Sequence, residues 1–402
     1  MNHLHTTVSI LLFAFLTASC GTGSAQDKNP EQTNSNTPKQ DPVTTPDSKT
    51  NPTPRLVTLY PYLERPWGMD FLPDGRMLIS QRQGSMVLMN NTGTELTARL
   101  TGLPAVKFDR QGGLLDVAVD PDFSMNRWIY WSYSESDSTS SRTGTAVARG
   151  KLSNNHLTDV QVIYRQTPKI SASSQVHYGS RLVFSRDKTL FITLGDRGQR
   201  DLAQDLSTSI GKVVRINRDG SIPADSPTFS QENALPEIWS YGHRNPQGAA
   251  LHPTTGELWL SEHGPQGGDE INRVIAGQNY GWPIKSYGCE YSSPVSDNCR
   301  IGGGVHAPDY IEPISTWVPV STAPAGIAFY SGTEFPEWRG DLFVAALRDR
   351  VLWHLDLTGT KESGRKKLFT ELDDRIRDVN YGPDGKLYLL TDAGRLIKVT
   401  PE

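Results

Sequence analysis

The sequence predicts an all-β protein, a six-bladed β-propeller, and three observations carry this prediction. The first is a unit of one short apolar stretch, a turn and a second apolar strand, which recurs six times along the chain. The second is composition, because 36 Gly and 27 Pro in 402 residues favour a turn-rich chain. The third is that no 12-residue stretch has convincing helical periodicity. A two-sheet sandwich explains six copies less well than a propeller with one four-stranded blade per copy.

The six copies share a pattern, and turn residues typical of hairpins join their two strands. They read GMDFLPDGRMLIS from Gly68, LLDVAVDPDFSMNRWIYWSY from Leu114, SRLVFSRDKTLFITLGD from Ser180, GAALHPTTGELWLSE from Gly248, GIAFYSGTEFPEWRGDLFVAAL from Gly326 and RDVNYGPDGKLYLLTD from Arg377. Aromatic and β-branched residues crowd the second strand, as strand pairing favours. The copies start about 45 to 80 residues apart, which predicts long loops, and long loops on a rigid β scaffold are where binding sites form.

The propeller is expected to span residues 56–402, and the N-terminal residues of the chain are predicted to be a targeting segment. The run VSILLFAFLTA from Val8 is too short to cross a bilayer and is typical of a signal peptide. It leads into LTASC, which resembles a bacterial lipobox, so residues 1–20 are predicted to be a signal segment with a lipid-carrying Cys20. An ordinary cleaved signal is the alternative, because no Lys or Arg precedes the run and Thr17 replaces the usual Leu.

Residues 21–55 are predicted to be a disordered linker. They are rich in Thr, Pro, Asn, Gln, Asp and Lys, and residues 21–54 contain no aromatic side chain. A lipid anchor followed by a flexible tether and a globular domain is typical of a protein of the bacterial cell envelope. The protein is therefore expected to be anchored through Cys20 and to face the periplasm or to be associated with the outer membrane. The net charge of −4 and the pI near 6.2 leave no basic field for a nucleic acid.

Three Cys in the chain exclude a disulfide-dense small protein and a Cys-rich metal domain. Cys289 and Cys299 flank the short loop in GCEYSSPVSDNC. In an oxidising envelope these two residues are expected to form a disulfide, and a reactive thiol is the less favoured alternative.

Several polar residues lie at matching positions, in loops directly before the inner strands of different copies. They are Gln111, His177, Arg244, Asn245, Arg375 and Arg377. Equivalent loops of a propeller converge on the mouth of its central channel, so the shared register predicts a polar pocket with excess positive charge. A lone His or Arg in a loop is usually a surface hydrogen-bonding group, and only the shared register favours a functional interpretation.

The segment SEHGPQGGDEINRVIAGQNYGWP from Ser261 is Gly-rich and contains Asp269 and Glu270. Carboxylates together with free backbone carbonyls are hard oxygen ligands that suit Ca²⁺, although such loops are often simple turns. A transition-metal site at His263 is disfavoured, because no second His or Cys stands at useful spacing.

Four motifs in this order resemble the pyrroloquinoline quinone (PQQ)-dependent sugar dehydrogenases, the family of soluble glucose dehydrogenase and aldose sugar dehydrogenase. They are GKVVRINRDGSIP from Gly211, GHRNPQGAALHP from Gly242, EHGPQGGDEIN from Glu262 and QNYGWP from Gln278. The resemblance runs from about Pro66 to the C-terminus and implies a six-bladed propeller. It also implies oxidation of aldose sugars at C1 to lactones, with PQQ as hydride acceptor, Ca²⁺ as Lewis acid, and a quinone or small redox protein as the electron acceptor.

The resemblance implies a role for individual residues. Those implied to act in catalysis are the general base His177 and Arg244. Those implied to hold or polarise PQQ are Gln111, Arg244, Asn245, Arg348, Arg375 and Arg377. Those implied to bind calcium are Gly264 and Pro265, through their carbonyls at the PQQ face, and Glu270 with the Tyr280 carbonyl at a second, structural site. A planar tricarboxylate needs an Arg cluster of this kind.

The chain departs from soluble glucose dehydrogenase at three places. Val176 replaces an acid beside His177, His263 replaces a Gln, and WVPVSTAPAG from Trp317 lacks an aromatic residue over the cofactor. These departures put glucose selectivity in doubt and imply a more open site, closer to the aldose sugar dehydrogenases. Two other functions stay open: a calcium-dependent propeller lactonase, which has no use for Arg348, Arg375 and Arg377 together, and a non-enzymatic propeller that binds another protein.

Overall fold

The computed structural model describes residues 52–296 and 298–402. The predicted signal segment with Cys20, and the predicted linker up to residue 51, lie outside these residues. The first strand begins at Pro54, two residues before the expected start of the propeller. In the described part of the chain, no helix has the length and apolar character needed to span a lipid bilayer.

Short antiparallel strands account for nearly all of the regular structure. The strands are β1 (Pro54–Tyr60), β2 (Pro66–Phe71), β3 (Met77–Gln81), β4 (Ser85–Met89), β5 (Leu96–Arg99), β6 (Leu114–Val119), β7 (Trp128–Ser136), β8 (Arg142–Ser153), β9 (His156–Arg165), β10 (Ile170–Ser171), β11 (Gly179–Phe184), β12 (Leu190–Leu194), β13 (Lys212–Ile216), β14 (Ile238–Tyr241), β15 (Pro246–Leu251), β16 (Leu258–Glu262), β17 (Asp269–Arg273), β18 (Ser286–Cys289), β19 (Arg300–Ile301), β20 (Ser315–Trp317), β21 (Pro324–Phe329), β22 (Leu342–Ala346), β23 (Leu352–Thr358), β24 (Lys361–Leu368), β25 (Ile376–Tyr381), β26 (Leu387–Thr391) and β27 (Leu396–Pro401). The helical pieces are α1 (Phe123–Asn126) and 3₁₀ turns at Arg200–Ala203, Pro336–Trp338 and Thr370–Leu372.

These strands form six blades, which confirms the predicted six-bladed propeller. The first five blades are, in chain order, β2–β5, β6–β10, β11–β14, β15–β17 with β20, and β21–β24. The sixth blade combines β25, β26 and β27 with the N-terminal β1, which pairs with β27 so that Leu56 lies opposite Val399. The two ends of the described chain therefore close the ring. Each of the six repeats in the sequence coincides with the inner hairpin of one blade.

The core lies between the blades. Six large clusters of buried apolar side chains each join two neighbouring blades, as Leu88 and Trp131 do between the first and second. Fully burying one large apolar side chain contributes about 1.5–3 kcal/mol. Apolar packing between neighbouring blades therefore stabilises the ring. The loops do not have to contribute to this core and can form a binding site.

The innermost strand of every blade contacts the innermost strands of its two neighbours around a central channel. Arg181 of β11 spans this channel: its Nη1 lies 3.0 Å from Asp116 Oδ1, and its Nη2 lies 2.8 Å from Asp378 Oδ1. The Arg181 Nε donates to the Gln247 carbonyl at 2.7 Å, and the guanidinium lies over the Trp67 ring. One side chain therefore ties together five of the six inner strands.

Candidate functional site

The polar residues singled out from the sequence lie around one mouth of the channel. The inner strand of each blade begins at this mouth, and because the next strand is antiparallel, it ends there. A blade therefore contributes two loops to the mouth: one before its first strand, and one after its second. The contacts described below join residues of the first kind to residues of the second.

His177 and Asp196 form a hydrogen-bonded pair at the third blade. His177 precedes β11 and Asp196 follows β12, and the His177 Nδ1 lies 2.6 Å from the Asp196 Oδ1. The backbone N–H of His177 donates to the Gln111 side-chain oxygen at 2.7 Å, so Gln111 holds the loop that carries the histidine. A neutral imidazole that donates from Nδ1 presents Nε2 as a proton acceptor. Within the described residues, this Nε2 has no hydrogen-bond partner.

Asp196 is buried and stays ionised. Besides His177, it accepts hydrogen bonds from the Trp282 indole N–H at 2.8 Å and from the Gly198 backbone N–H at 2.7 Å. Burial acts to raise the pKa of Asp196, but the hydrogen bond and charge of His177, with the charge of Arg244, together outweigh it, and the pKa is lowered. No motif marks Asp196 as functional, although its place two residues after the strand LFITL offers a signal.

Arg244 lies beside this pair, at the fourth blade. Its backbone N–H donates to Glu262, its Nη1 donates to the His263 carbonyl at 3.3 Å, and its Nη2 donates to the Tyr291 hydroxyl at 3.2 Å. The Nε of Arg244 is buried and has no partner among the described residues. A buried donor without an acceptor is costly, so this atom suits an acceptor that a bound molecule brings.

Asn245 and His263 are held in fixed orientations next to Arg244. The Asn245 side-chain oxygen accepts the Gly179 N–H at 3.2 Å. The His263 Nε2 donates to the Pro324 carbonyl at 2.7 Å. Burial, together with the nearby charge of Arg244, lowers the pKa of His263 to about 3, so it is neutral. With its Nε2 occupied by a carbonyl, His263 is poorly placed to ligate a transition metal.

Arg375 and Arg377 share one carboxylate. Asp392, which follows β26, accepts from the Nε of Arg377 at 2.9 Å and from the Nε of Arg375 at 2.7 Å. Burial acts to raise the pKa of Asp392, but the charges and hydrogen bonds of the two Arg outweigh it and lower the pKa. Asp392 therefore offsets one of the two positive charges, a counter-ion that the sequence analysis did not identify, and an excess of positive charge remains at the mouth, as expected.

Arg348 lies apart from that pair and is exposed. Its Nη1 donates to the Ser321 carbonyl at 2.6 Å. It lines a cavity of about 360 Å³ together with Pro265 and Tyr291, and Tyr291 contacts Arg244. Arg348 is thus connected to Arg244 across one cavity.

Gly264, Glu270 and Tyr280 surround a second, very small cavity of about 10 Å³, which Glu262 also lines. That space holds about one water-sized particle. Burial, and next the charge of Glu262, raise the pKa of Glu270 well above its usual range. Either a proton on Glu270 or a bound cation relieves this repulsion. Carboxylates are hard oxygen ligands that suit Ca²⁺, and Arg244 and Lys285 also line the space. Pro265 lines the Arg348 cavity instead.

The predicted disulfide between Cys289 and Cys299 is present, with the two Cα atoms 5.1 Å apart. Cys289 also exchanges backbone hydrogen bonds with Gln266, at 3.0 and 3.2 Å. The loop that carries Tyr291 is therefore attached at its base to the Gly-rich loop that carries Gly264 and Pro265.

Comparisons with known proteins agree with this arrangement. The family model described as glucose/sorbosone dehydrogenase matches residues 63–398. The chain is 42% identical over 356 residues to the aldose sugar dehydrogenase YliI of Escherichia coli, which covers 87% of this chain and 93% of that protein. The crystal structure of the E. coli soluble aldose sugar dehydrogenase in the apo form superposes with a TM-score of 0.80 at 42% identity, over 87% of this chain and all of that one.

A PQQ-bound aldose sugar dehydrogenase from Streptomyces coelicolor superposes with a TM-score of 0.70 at 27% identity, over 88% of this chain and 100% of that one. The family model covers most of the propeller, and the E. coli relative covers the same region at high identity. The resemblance carried by the four motifs is therefore confirmed: the chain belongs to the glucose/sorbosone dehydrogenase family.

Proposed function

We propose that the protein is a PQQ- and Ca²⁺-dependent dehydrogenase that oxidises aldose sugars at C1 to lactones. The observation that carries this proposal is the His177–Asp196 pair, which presents an unpartnered imidazole Nε2 beside Arg244. A proton acceptor next to a partly unpartnered cation suits the removal of a hydroxyl proton while negative charge develops nearby.

The donor set at the mouth fits PQQ. The cofactor is a planar tricarboxylate, and Arg348, Arg375 and Arg377 provide guanidinium groups from two adjacent blades. The unpartnered Nε of Arg244 and the side chains of Asn245 and Gln111 would complete its polar contacts. When bound, PQQ supplies a quinone that accepts a hydride equivalent, and Ca²⁺ supplies a Lewis acid beside it.

The carbonyls of Gly264 and Pro265 would hold the calcium at the cofactor. Glu270 and the Tyr280 carbonyl would hold the second calcium, in the small cavity, and we add Glu262 to that set because it lines the same space. The raised pKa of Glu270 supports this assignment, since a bound cation removes the cost of burying two like charges.

The chain's own residues then have distinct tasks. The Nε2 of His177 accepts the proton of the sugar C1 hydroxyl, and Asp196 keeps the imidazole in the required tautomer and stabilises its protonated form. Gln111 and Trp282 position this pair through the His177 backbone and the Asp196 carboxylate. Arg244 donates to developing negative charge at the mouth.

Purified protein supplied with PQQ and Ca²⁺ tests the proposal. We expect reduction of an artificial dye with at least one aldose from a panel of hexoses, pentoses and disaccharides, and none when either PQQ or Ca²⁺ is omitted. Absence of dye reduction with every aldose would overturn the proposal. Hydrolysis of sugar lactones under calcium alone would favour a propeller lactonase instead, and inactivity in both assays would favour a binding protein.

We expect Arg348→Ala and Arg377→Ala each to weaken PQQ affinity ten-fold or more. Each change removes charge-assisted hydrogen bonds worth about 1.5–3 kcal/mol. The apparent affinity for glucose at saturating PQQ should change less, because glucose is neutral. Titration of apoprotein with PQQ, followed by intrinsic fluorescence, measures the first constant, and dye reduction measures the second. Arg76→Ala is the matched control, since Arg76 pairs with Asp74 in the turn between β2 and β3, at the end of these strands away from the mouth. Unchanged PQQ affinity in both site variants would place the Arg residues outside the cofactor site.

We further propose that the protein is anchored in the bacterial cell envelope through a lipid on Cys20, and that it passes electrons to a quinone or a small redox protein there. The support is the similarity of LTASC to a lipobox. Mass spectrometry of protein extracted from membranes should find a mature N-terminus at Cys20 with attached acyl chains. A mature terminus beyond residue 20 would rule out the anchor.

A further inference from the structure

Two Arg of the first blade stand at the same mouth, and neither forms an ion pair in the part of the chain that the structure describes. Arg65 directly precedes β2, and Arg82 directly follows β3. Their guanidinium groups lie 5.5 and 5.6 Å from the centre of the Phe108 ring. Phe108 itself is 39% exposed. We call Arg65, Arg82 and Phe108 the blade-one cluster.

Neither guanidinium of the blade-one cluster has a hydrogen bond or ion pair within residues 52–296 and 298–402, and the Nε of Arg82 is buried and unpartnered. Burial, with the positive charges of Arg377, Arg65 and Arg375, lowers the pKa of Arg82 to about 10, and Asp392 opposes the shift without cancelling it. The neighbouring acid Glu64 pairs with Arg99 at 2.8 Å instead.

The blade-one cluster belongs to the blade next to the one that carries Arg375 and Arg377, and His177 lies two blades away on the other side. Arg82 is close enough to Arg377 and Arg375 for their charges to affect its pKa. Its backbone carbonyl accepts the Leu114 N–H at 2.9 Å, and a Cβ added to Gly113 would lie 2.1 Å from that carbonyl oxygen. The same loop carries Gln111, which hydrogen-bonds the His177 backbone. A molecule that places its C1 at His177 therefore has the blade-one cluster within the same mouth.

The number of charged groups indicates that the cofactor does not need the blade-one cluster for its binding. PQQ carries three carboxylates, and Arg348, Arg375, Arg377 and Arg244 already supply four positive charges, of which Asp392 offsets one. Arg65 and Arg82 are additional to this balance. Arg82 is partly buried with an unpartnered Nε, and Arg65 stands exposed beside the same ring, an arrangement that suits a further anionic group.

We propose that the blade-one cluster is a substrate subsite that binds the anionic group of an acidic aldose, a sugar carrying a carboxylate or a phosphate away from C1. This inference rests on the proposed dehydrogenase function and names its substrate class. Arg82 and Arg65 pair with the anion, and the exposed ring of Phe108, which lies near both guanidinium groups, packs on the apolar face of the sugar.

The test compares glucose, glucuronate and glucose 6-phosphate as substrates of protein loaded with PQQ and Ca²⁺. We expect kcat/KM for at least one anionic sugar to exceed that for glucose ten-fold or more. Arg82→Met should remove about ten-fold of that preference, as expected for one charge-assisted hydrogen bond, while kcat/KM for glucose changes less than about two-fold. Arg82→Lys should keep part of the preference for the anionic sugar, because the positive charge remains. A preference for glucuronate identifies a carboxylate as the anion, and a preference for glucose 6-phosphate identifies a phosphate.

Arg76→Met is the matched control, since Arg76 is paired with Asp74 in the turn between β2 and β3, which lies at the far end of these strands from the mouth. A binding measurement completes the test without turnover: calorimetric titration of the PQQ-loaded protein with inorganic phosphate should show weaker binding in Arg82→Met than in wild type.

Three results would overturn the inference: equal kcat/KM for glucose and both anionic sugars in wild type, an equal loss for all three sugars in Arg82→Met, or a loss of PQQ affinity in that variant, which would assign Arg82 to the cofactor. If the wild-type protein binds PQQ but oxidises no aldose, the proposed function fails. The phosphate titration still decides whether the blade-one cluster binds anions.

Discussion

His177→Ala should lower kcat for aldose oxidation by about 10²–10⁴-fold, the usual contribution of a positioned general base. PQQ affinity should stay close to the wild-type value, because the groups that would hold the cofactor carboxylates lie on the fifth and sixth blades. The remaining partners of Asp196, Trp282 and Gly198, keep its carboxylate hydrogen-bonded when the imidazole is gone. The measurements are dye reduction at saturating sugar and a fluorescence titration with PQQ.

His156→Ala is the control for this experiment, since His156 is an exposed histidine on β9 that contacts the Thr101 hydroxyl far from the mouth. It should leave both constants unchanged. A His177→Ala protein that oxidises sugars near the wild-type rate would remove His177 from catalysis. If the His177→Ala protein loses PQQ binding as well as turnover, His177 is instead a cofactor ligand.

The propeller could be predicted from sequence because each blade repeats a local signal. Two apolar strands joined by a hairpin turn bury one blade face against the next, and this pattern is visible within about twenty residues of chain. The closing strand β1 was not predicted, because PRLVTLY belongs to no repeat and its partner β27 lies at the other end of the chain. A pairing over so large a separation has no local signature in the sequence.

The sequence predicted one set of residues in the candidate site and missed their partners, and the direction of the strands explains the difference. Some residues were found by their shared register: His177 and Arg244 lie before an inner strand, and Arg377 is the second residue of β25. Their partners Asp196, Glu262 and Asp392 each lie at the end of the second strand of the same blade or within two residues after it. An antiparallel second strand returns to the mouth at which the first begins, so the end of each second strand can be searched in the same way.

Arg82 after β3 and Arg348 after β22 follow the same rule. The rule therefore gives a carboxylate that accepts hydrogen bonds from the polar loop at three of the blades, and a cation at two others. It could be applied to the sequence as soon as the hairpins are recognised. Side-chain pairing itself needs the structure, because Asp392 could not be known in advance to accept from both Arg375 and Arg377.

Arg181→Met should lower the free energy of unfolding by about 3–5 kcal/mol, the cost of leaving buried charges without their partner. Arg181 is buried between Asp116 and Asp378, and both carboxylates also accept backbone N–H groups from adjacent blades, Leu182 at 2.8 Å and Met69 at 3.3 Å. Without the guanidinium, two buried acids face each other across the channel. Denaturant unfolding followed by fluorescence measures the loss, and Arg186→Met, an exposed change near the end of the same strand, is the control.

The loss should also depend on pH in a definite direction. Burial raises the pKa of Asp378 to about 7 even with Arg181 in place. A carboxyl with a raised pKa binds a proton in the folded protein at a pH where the unfolded chain has released it, so stability falls as pH rises from the unfolded value towards the folded one. Removing Arg181 raises the pKa of Asp378 further and extends this fall in stability to higher pH.

The deficit in the free energy of unfolding of Arg181→Met relative to wild type should therefore be smaller at pH 5 than at pH 8. Adding Asp378→Asn should recover part of this deficit at pH 8. A deficit that is the same at both pH values, and that Asp378→Asn does not reduce, would mean that Arg181 stabilises the propeller by packing on Trp67 rather than by charge.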